Sequence, residues 1–478
     1  MNIISNIDYQ SFEVCRKINL STKSKLGQFM TPSNVAHYMA GLLCETSKNS
    51  KLLDCGAGIG SLTVSVINRL GNNFMVELWE LDKTLALYLE ENITRLNIDY
   101  KINVSDFIQD AVINIIERKG NRYTHAILNP PYGKISNNSY YKKILKNIGI
   151  DTINLYSAFL SLTIMLMEDN GEIVAIIPRS FCNGPYYKSF RNFLFSECSI
   201  EHIHVFGSRD RLFKYDNVLQ ENIIIKLKRN KNQSAHVVIS SSFDDKFLDY
   251  KEKKVSFENI LKNDDHERFI HIPIKDNIQV EEQLFKVKLD SINLEVSTGS
   301  VVDFRMKEFL KQEPSDKTAP LLYPHHFATG ELFYPKNHKK LDSILITDQT
   351  RKWLMPNGFY VLVKRFTAKE ERKRIVAYLL NPNNIKGHLL GFENHWNVFH
   401  YKKSGIDEII AKGLLCFLNS TKIDNYFRVF SGHTQVNATD LRNLLYPDIR
   451  ILQELGVRYQ PKMPQNYIDE LINKISYE

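Results

Sequence analysis

The chain is poor in cysteine, with only Cys15, Cys44, Cys55, Cys182, Cys198 and Cys416 in 478 residues and no C-x-x-C pair among them. That scatter suggests neither a disulfide framework nor a zinc site, and most of the six read as small buried hydrophobes. A long apolar run is also lacking. The longest, near Tyr156 to Met167, stops at Glu168, short of the roughly 20 residues a membrane span needs. Met1 to Gln10 is polar and carries no apolar signal, so the expected protein is soluble and cytoplasmic, with no membrane partner. No internal repeat or low-complexity segment is present. A hydrophobic content of 43% supports a globular protein, and 478 residues suggest two domains.

What is present is a series of strand ends. Lys51-Leu52-Leu53-Asp54-Cys55 reads as a buried strand running into Gly56-Ala57-Gly58-Ile59-Gly60 and then a helix from Ser61. Alternate residues without Cβ atoms let a ligand approach the backbone. Ser61 stands where the dinucleotide fingerprint would have its last glycine, so this is a different loop. A second strand, Met75 to Trp79, ends in Glu80, about twenty residues on, the distance at which a carboxylate meets ribose hydroxyls in doubly wound folds. A third, Tyr100 to Val104, delivers Asp106-Phe107, an acid and a ring suited to an adenine amino group and base. A fourth apolar run, Ala126-Ile127-Leu128, ends in Asn129-Pro130-Pro131-Tyr132.

This tetrad is suited to holding a planar amino-bearing group. The amino nitrogen of adenine or cytosine is a poor nucleophile because its lone pair is delocalised into the ring. The Asn129 amide oxygen and the Pro130 carbonyl would accept its hydrogens and free that lone pair. Tyr132 would stack on the ring, and the prolines hold both acceptors in place in advance. An ordinary strand-to-loop turn explains the same four residues, since Asn-Pro is a common turn dipeptide.

The ordered set resembles the nucleotide-binding half of S-adenosylmethionine-dependent methyltransferases, and Asn-Pro-Pro-Tyr resembles the catalytic motif of N6-adenine DNA methyltransferases. Leu26-Gly27-Gln28-Phe29-Met30-Thr31-Pro32 precedes the glycine loop and the tetrad follows it, the order of the gamma, or TaqI-type, class. Taken alone, Thr31-Pro32 is also a good helix start, with a capping hydroxyl ahead of proline. Asn154 to Leu160 and Gly171 to Pro178 resemble later family motifs. The resemblance implies a Rossmann-like α/β catalytic domain over residues 1–285 and a mixed α+β DNA target-recognition domain over 286–478. It further implies that Phe29 and Thr31 hold the methionine end of S-adenosylmethionine, and that Asp54, Gly56 and Gly58 flank it. Glu80 would bind the ribose, and Asp106 with Phe107 the adenine. Asn129, Pro130 and Tyr132 would grip the target base, with Phe213 packing on its other side; an aromatic there is as often core.

The formal charge of +8 is concentrated. Residues 351–403 hold eleven Lys and Arg against three Glu, a surplus equal to that of the whole chain. The run holding Lys364, Arg365, Arg372, Lys373 and Arg374, interleaved with aromatics, suits a phosphate backbone, although a charge run is usually a solvated helix face. Strands are expected at His236–Ser240, Phe269–Ile274, Ser343–Thr347, Tyr360–Lys364 and Ile375–Leu379, and a helix at Ile409–Leu418 closed by Asn419. Cys416 to Ser420 and Ser431 to Arg442 resemble the C-terminal part of TaqI-type enzymes, and that part is also similar to PstI-like methyltransferases. Within it, His433, Gln435 and Asn437 would reach duplex DNA, with Gln435 or Asn437 on a base edge and Val436 in the gap left by an extruded base. The same segment also reads as a polar connection ahead of a helix capped by Thr439.

The resulting expectation is a site-specific enzyme that flips adenine out of double-stranded DNA and methylates N6 by direct in-line displacement, without a metal or covalent intermediate. A cognate restriction endonuclease would be a separate chain. Asp245 with Glu252-Lys253-Lys254 only distantly imitates a nuclease pattern. RNA or protein-glutamine methylation, or a non-catalytic DNA-recognition subunit, are the alternatives.

Overall fold

Strand β1 (Ser50–Cys55) divides its side chains between two cores. Leu52 joins an apolar cluster with Val76, Ile127 and Val174, whereas Leu53 and Cys55 join another with Ala126, Leu128 and Ile173. A strand buried on both faces belongs at the centre of a sheet covered by helices on both sides. The computed structural model of the protein describes residues 7, 9–10, 13, 30–44, 50–118, 122–207, 221–262, 265–274, 285–328, 330–336, 338–367, 371–431 and 435–477. They fall into two compact units, Met1–Ile274 and Lys275–Glu478. The boundary therefore precedes the expected 285/286.

The first unit is built on a nine-stranded sheet. Its further strands are β2 (Phe74–Trp79), β3 (Asp99–Asn103), β4 (Tyr123–Leu128), β5 (Met167–Pro178), β6 (Ser199–Phe206), β7 (Asn222–Lys228), β8 (His236–Ser242) and β9 (Lys251–Ser256), in the order β3-β2-β1-β4-β5-β7-β6-β8-β9. From β3 to β5 all neighbours are parallel, and β7 runs antiparallel between β5 and β6. Helix α1 (Ser33–Gly41), α2 (Ser61–Leu70) and α3 (Lys83–Thr94) supply one core, and α4 (Phe107–Ile116), α6 (Leu155–Leu166) and α7 (Lys188–Glu197) the other. Helix α5 (Tyr140–Asn147) follows β4. The chain winds outward from β1 to β3 and then returns to β4. At such a switch point the carboxyl ends of neighbouring strands leave a crevice. Phe269–Ile274, expected as a strand, is irregular. It is held by the Ile270 N–H on the Cys182 carbonyl and the His271 N–H on the Ile260 carbonyl rather than by a sheet edge.

The second unit pairs β10 (Glu295–Thr298), β18 (Trp396–His400), β15 (Tyr360–Lys364) and β16 (Ala377–Leu380) into an antiparallel sheet. A five-stranded sheet of short strands holds β11 (Leu310–Lys311), β13 (Ser343–Leu345), β12 (Thr318–Leu322), β17 (Leu389–Phe392) and β14 (Leu354–Pro356). Helices α8 (Glu408–Leu418), α9 (Thr421–Phe430), α10 (Ala438–Asn443), α11 (Ile449–Val457) and α12 (Gln465–Tyr477) complete it. The expected helix ending at Asn419 is α8, whose C-cap is that residue. Among the described residues no helix is long and apolar enough to cross a membrane.

Candidate active site

At the end of β1 the chain enters the glycine loop, where Gly56, Gly58 and Gly60 take φ of +82°, +60° and +91°. Only glycine holds these values without strain. The N–H groups of Gly56 and Ala57 both donate to the Trp79 carbonyl at 2.9 Å, which fastens the loop to the end of β2. A Cβ added to Gly56 would meet Phe159 at 3.8 Å and Pro131 at 3.9 Å, and one added to Gly58 would meet Met30 Sδ at 3.8 Å. The bare backbone forms one wall of a cleft of about 300 Å³ lined also by Trp79, Glu80, Asp106, Phe107, Asn129 and Tyr141.

The acids of the cleft are held from behind. Glu80 accepts the Gly58 N–H at 2.9 Å and the Asp82 N–H at 2.8 Å, one on each oxygen. A carboxylate has about four lone-pair sites, so Glu80 can take a ligand hydroxyl beside its backbone donors. Burial raises the Glu80 carboxyl above its ordinary value. Asp106 caps α4 through the Gln109 N–H and also accepts the Tyr141 hydroxyl. Phe107 packs edge-on to Trp79, with centroids 5.5 Å apart, and against Phe159 at 5.1 Å. A paired carboxylate for a diol, a carboxylate for an amine and an aromatic wall fit the chemistry of a nucleoside.

Asp54 lies elsewhere. It is fully buried behind the glycine loop and does not line the cleft. Thr63 donates to its Oδ2 at 2.7 Å, whereas Oδ1 is buried without a hydrogen-bond partner. Burial raises the carboxyl to about 7, with the Thr63 hydroxyl opposing and nearby Glu80 adding slightly.

Asn129 stands one residue past β4, beside the glycine loop across the switch point. Its Nδ2 donates to the Thr31 hydroxyl at 3.0 Å, and its Oδ1 accepts the Tyr132 hydroxyl at 3.1 Å. Thr31 is thus not a helix cap. Pro32 occupies the N-cap of α1, which lacks a side-chain cap, and the Thr31 hydroxyl meets the tetrad instead. Tyr132 is half-buried and edge-on to Tyr156, with its hydroxyl turned inward to Asn129 and the Ile176 carbonyl. Burial holds its phenol well above the usual range, so it stays a donor. Pro130 is buried, and Pro131 faces the cleft.

Met30, Pro131, Tyr141 and Phe159 were missed as cleft residues. Met30 adjoins the assigned Thr31, and Phe159 falls inside the Asn154–Leu160 motif, so both had a signal. Tyr141 had only an aromatic pair opening a basic helix. Phe29, Phe213 and His433 lie outside the described residues.

In the second unit the basic run does not form one surface. Arg374 is 1% exposed, with its guanidinium 5.6 Å from the Phe427 ring and its backbone N–H on Asp424. Lys373 turns inward to the Asn419 carbonyl at the end of α8, and burial lowers its pKa. Both are corrected from surface cations to structural ones. Arg372 is exposed, and Lys364 and Arg365 are half-buried, the latter donating to the Asn394 carbonyl and Gln435 Oε1 at 3.2 and 3.4 Å. Val436 is 0% exposed and cannot enter a base gap. Asn437, rather than Thr439, caps α10, its N–H and Nδ2 both donating to Asp440.

His325, His326 and Asp342 bring metal-type ligand atoms within 4.8 Å of one another. His326 Nδ1 accepts the Tyr323 N–H at 3.0 Å, which leaves the ring proton on Nε2, 3.3 Å from Asp342 Oδ1. That tautomer withholds the lone pair a metal would need.

Comparison with known proteins places this geometry. The Eco57I restriction-modification methylase family matches residues 6–213. The type II methyltransferase M.BsuBI of Bacillus subtilis is 48% identical over 458 residues, covering 91% of this chain and 90% of its own. M.PstI, a type II methyltransferase of Providencia stuartii, is 40% identical over 478 residues, covering 95% and 93%. Among solved structures, the cryo-EM structure of the DrdV–DNA complex shares the fold, with a TM-score of 0.51 at 12% identity over 83% of this chain and 51% of that one.

Proposed function

This chain belongs to the type II restriction-modification methyltransferases, and on that premise we propose that it transfers the methyl group of S-adenosylmethionine to N6 of an adenine turned out of duplex DNA. It is a site-specific DNA methyltransferase of a restriction-modification system. The choice of S-adenosylmethionine as donor and of adenine N6 as acceptor rests on the site. A separate endonuclease chain acting on the same sequence would complete the system, and Lys275–Glu478 would serve as the target-recognition unit.

The observation that carries the reading is the amide of Asn129, fixed at both ends where the tetrad adjoins the glycine loop. Tyr132 donates to Oδ1 and holds that oxygen in place, and Oδ1 would accept a hydrogen from an incoming amine. The Pro130 carbonyl would accept the second hydrogen. Two acceptors on a stiff loop draw the nitrogen toward tetrahedral geometry and release its lone pair without reorganisation at the moment of reaction. Glu80 would hold the ribose diol of the cofactor, Asp106 and Phe107 its adenine, and the bare backbone at Gly56 and Gly58 would let it lie close. When bound, that cofactor supplies an electrophilic methyl on a good leaving group, so the chain needs no nucleophile of its own.

Parallel transfer of tritiated methyl to DNA, RNA and protein separates the possible acceptors. Label is expected in DNA alone, and label confined to RNA or protein contradicts the proposal.

A further inference from the structure

Burial of Val436 leaves open which side chain fills the space of a displaced base, and its neighbour across the backbone bridge is the exposed Phe366. Residues 365–366 lie antiparallel to 435–436. Phe366 bridges Gln435, and the Val436 N–H donates to the Arg365 carbonyl at 2.7 Å. Asn397 Nδ2, from β18, donates to the Val436 carbonyl at 2.7 Å. The backbone that carries Phe366, two residues past β15, is therefore clamped to the sheet. Phe366 is 47% exposed.

An apolar ring left in water forgoes about 25 cal/mol for each Å² it fails to bury, so exposure of the ring costs this unit burial energy. The ring also has support on one side. His395 packs against it with centroids 4.9 Å apart, and the Arg365 guanidinium lies 5.9 Å from its centre. Among the described residues, those set against it are Arg365, His395 and Gln435, which offer a cation, an imidazole and an amide. A protein-docking patch would ring an aromatic with further apolar surface. A base stack flanked by phosphates matches an aromatic face inside a cationic rim, and apolar wedges that unstack base steps are built in this way.

We propose that Phe366 is the wedge that enters the duplex at the target site and occupies the space left by the displaced adenine, with Gln435 and Arg365 beside it to meet the orphaned base and the backbone. This rests on the adenine-flipping function proposed above. Phe366 is a positioning residue, because it acts on the base stack and does not touch the reacting nitrogen.

The test uses the full chain and a duplex bearing its mapped methylation site, with normal pairing or with an abasic position opposite the target adenine. Phe366→Ala is expected to lower methylation of the normal duplex by about tenfold or more, since unstacking costs a few kcal/mol. It should also weaken the fluorescence rise of 2-aminopurine at the target position. On the abasic-partner duplex, where extrusion is already cheap, it should recover to within a few-fold of wild type. Phe366→Trp should retain most activity on both. Unchanged methylation of the normal duplex by Phe366→Ala, or an equal loss on both duplexes, overturns the wedge. Wild-type protein that methylates no adenine on either duplex overturns the underlying function, and the wedge with it.

Discussion

The Nδ2 of Asn129 donates to the hydroxyl of Thr31 at 3.0 Å, joining the segment ahead of α1 to the end of β4. With Tyr132 on the other end of the amide, the plane of Asn129 is fixed before substrate arrives. Thr31→Val removes this hold on the amide. The expected result is a fall in kcat of about tenfold, with the KM for cofactor little changed, and recovery in Thr31→Ser. Steady-state kinetics decides. A rise in cofactor KM at unchanged kcat would show that Thr31 serves the cofactor alone.

Tyr141 reaches Asp106 from α5, a contact that orients the carboxylate expected to meet adenine. Tyr141→Phe should weaken cofactor binding by about tenfold or more, the loss of about one hydrogen bond to a charged group, and leave kcat at saturating cofactor near wild type. Titration calorimetry reads the first quantity and single-turnover methylation the second.

Asp54 makes stability depend on pH. Its carboxyl titrates near 3.8 when unfolded and near 7 when folded, so the native state binds the extra proton between these values. Unfolding free energy should therefore decline as pH rises from about 4 to 7, by up to roughly 4 kcal/mol, and level off above. Asp54→Asn abolishes this slope. Thermal melts of both proteins across pH 4 to 8 measure it, and parallel curves would contradict the assignment.

Two arginines two residues apart should behave oppositely. Arg374→Ala removes a buried guanidinium packed on Phe427 and is expected to lower the melting temperature markedly. Arg372 is exposed, and Arg372→Ala should leave the melt unchanged while weakening DNA binding and reducing the salt slope by about 1. Melting and salt-dependent binding, measured on both variants, separate the roles.

Much of the first unit was legible because its signals are local. The glycine loop, Glu80 and Asn129 each follow an apolar run at a strand end, Asp106 caps the helix after β3, and the helix expected from Ser61 begins there. Hidden features depended on distant partners. Nothing near Thr31 in the sequence reveals that its hydroxyl faces Asn129 rather than capping α1. Arg374 looked like a surface cation because its neighbours are basic, yet Asp424 and Phe427, fifty residues on, draw it inward. Val436 lies under Asn397 for the same reason, and only the bridge to Gln435 exposes Phe366 as the apolar group at that place.

The central claim is that an amide held between Thr31 and Tyr132 directs methylation to adenine N6. Duplex DNA incubated with the protein and S-adenosylmethionine, digested to nucleosides and examined by mass spectrometry, tests it most directly. N6-methyladenine as the sole methylated nucleoside, absent with Asn129→Ala, is the predicted result. Methylcytosine in place of N6-methyladenine, or N6-methyladenine formed at the wild-type rate by Asn129→Ala, would contradict it.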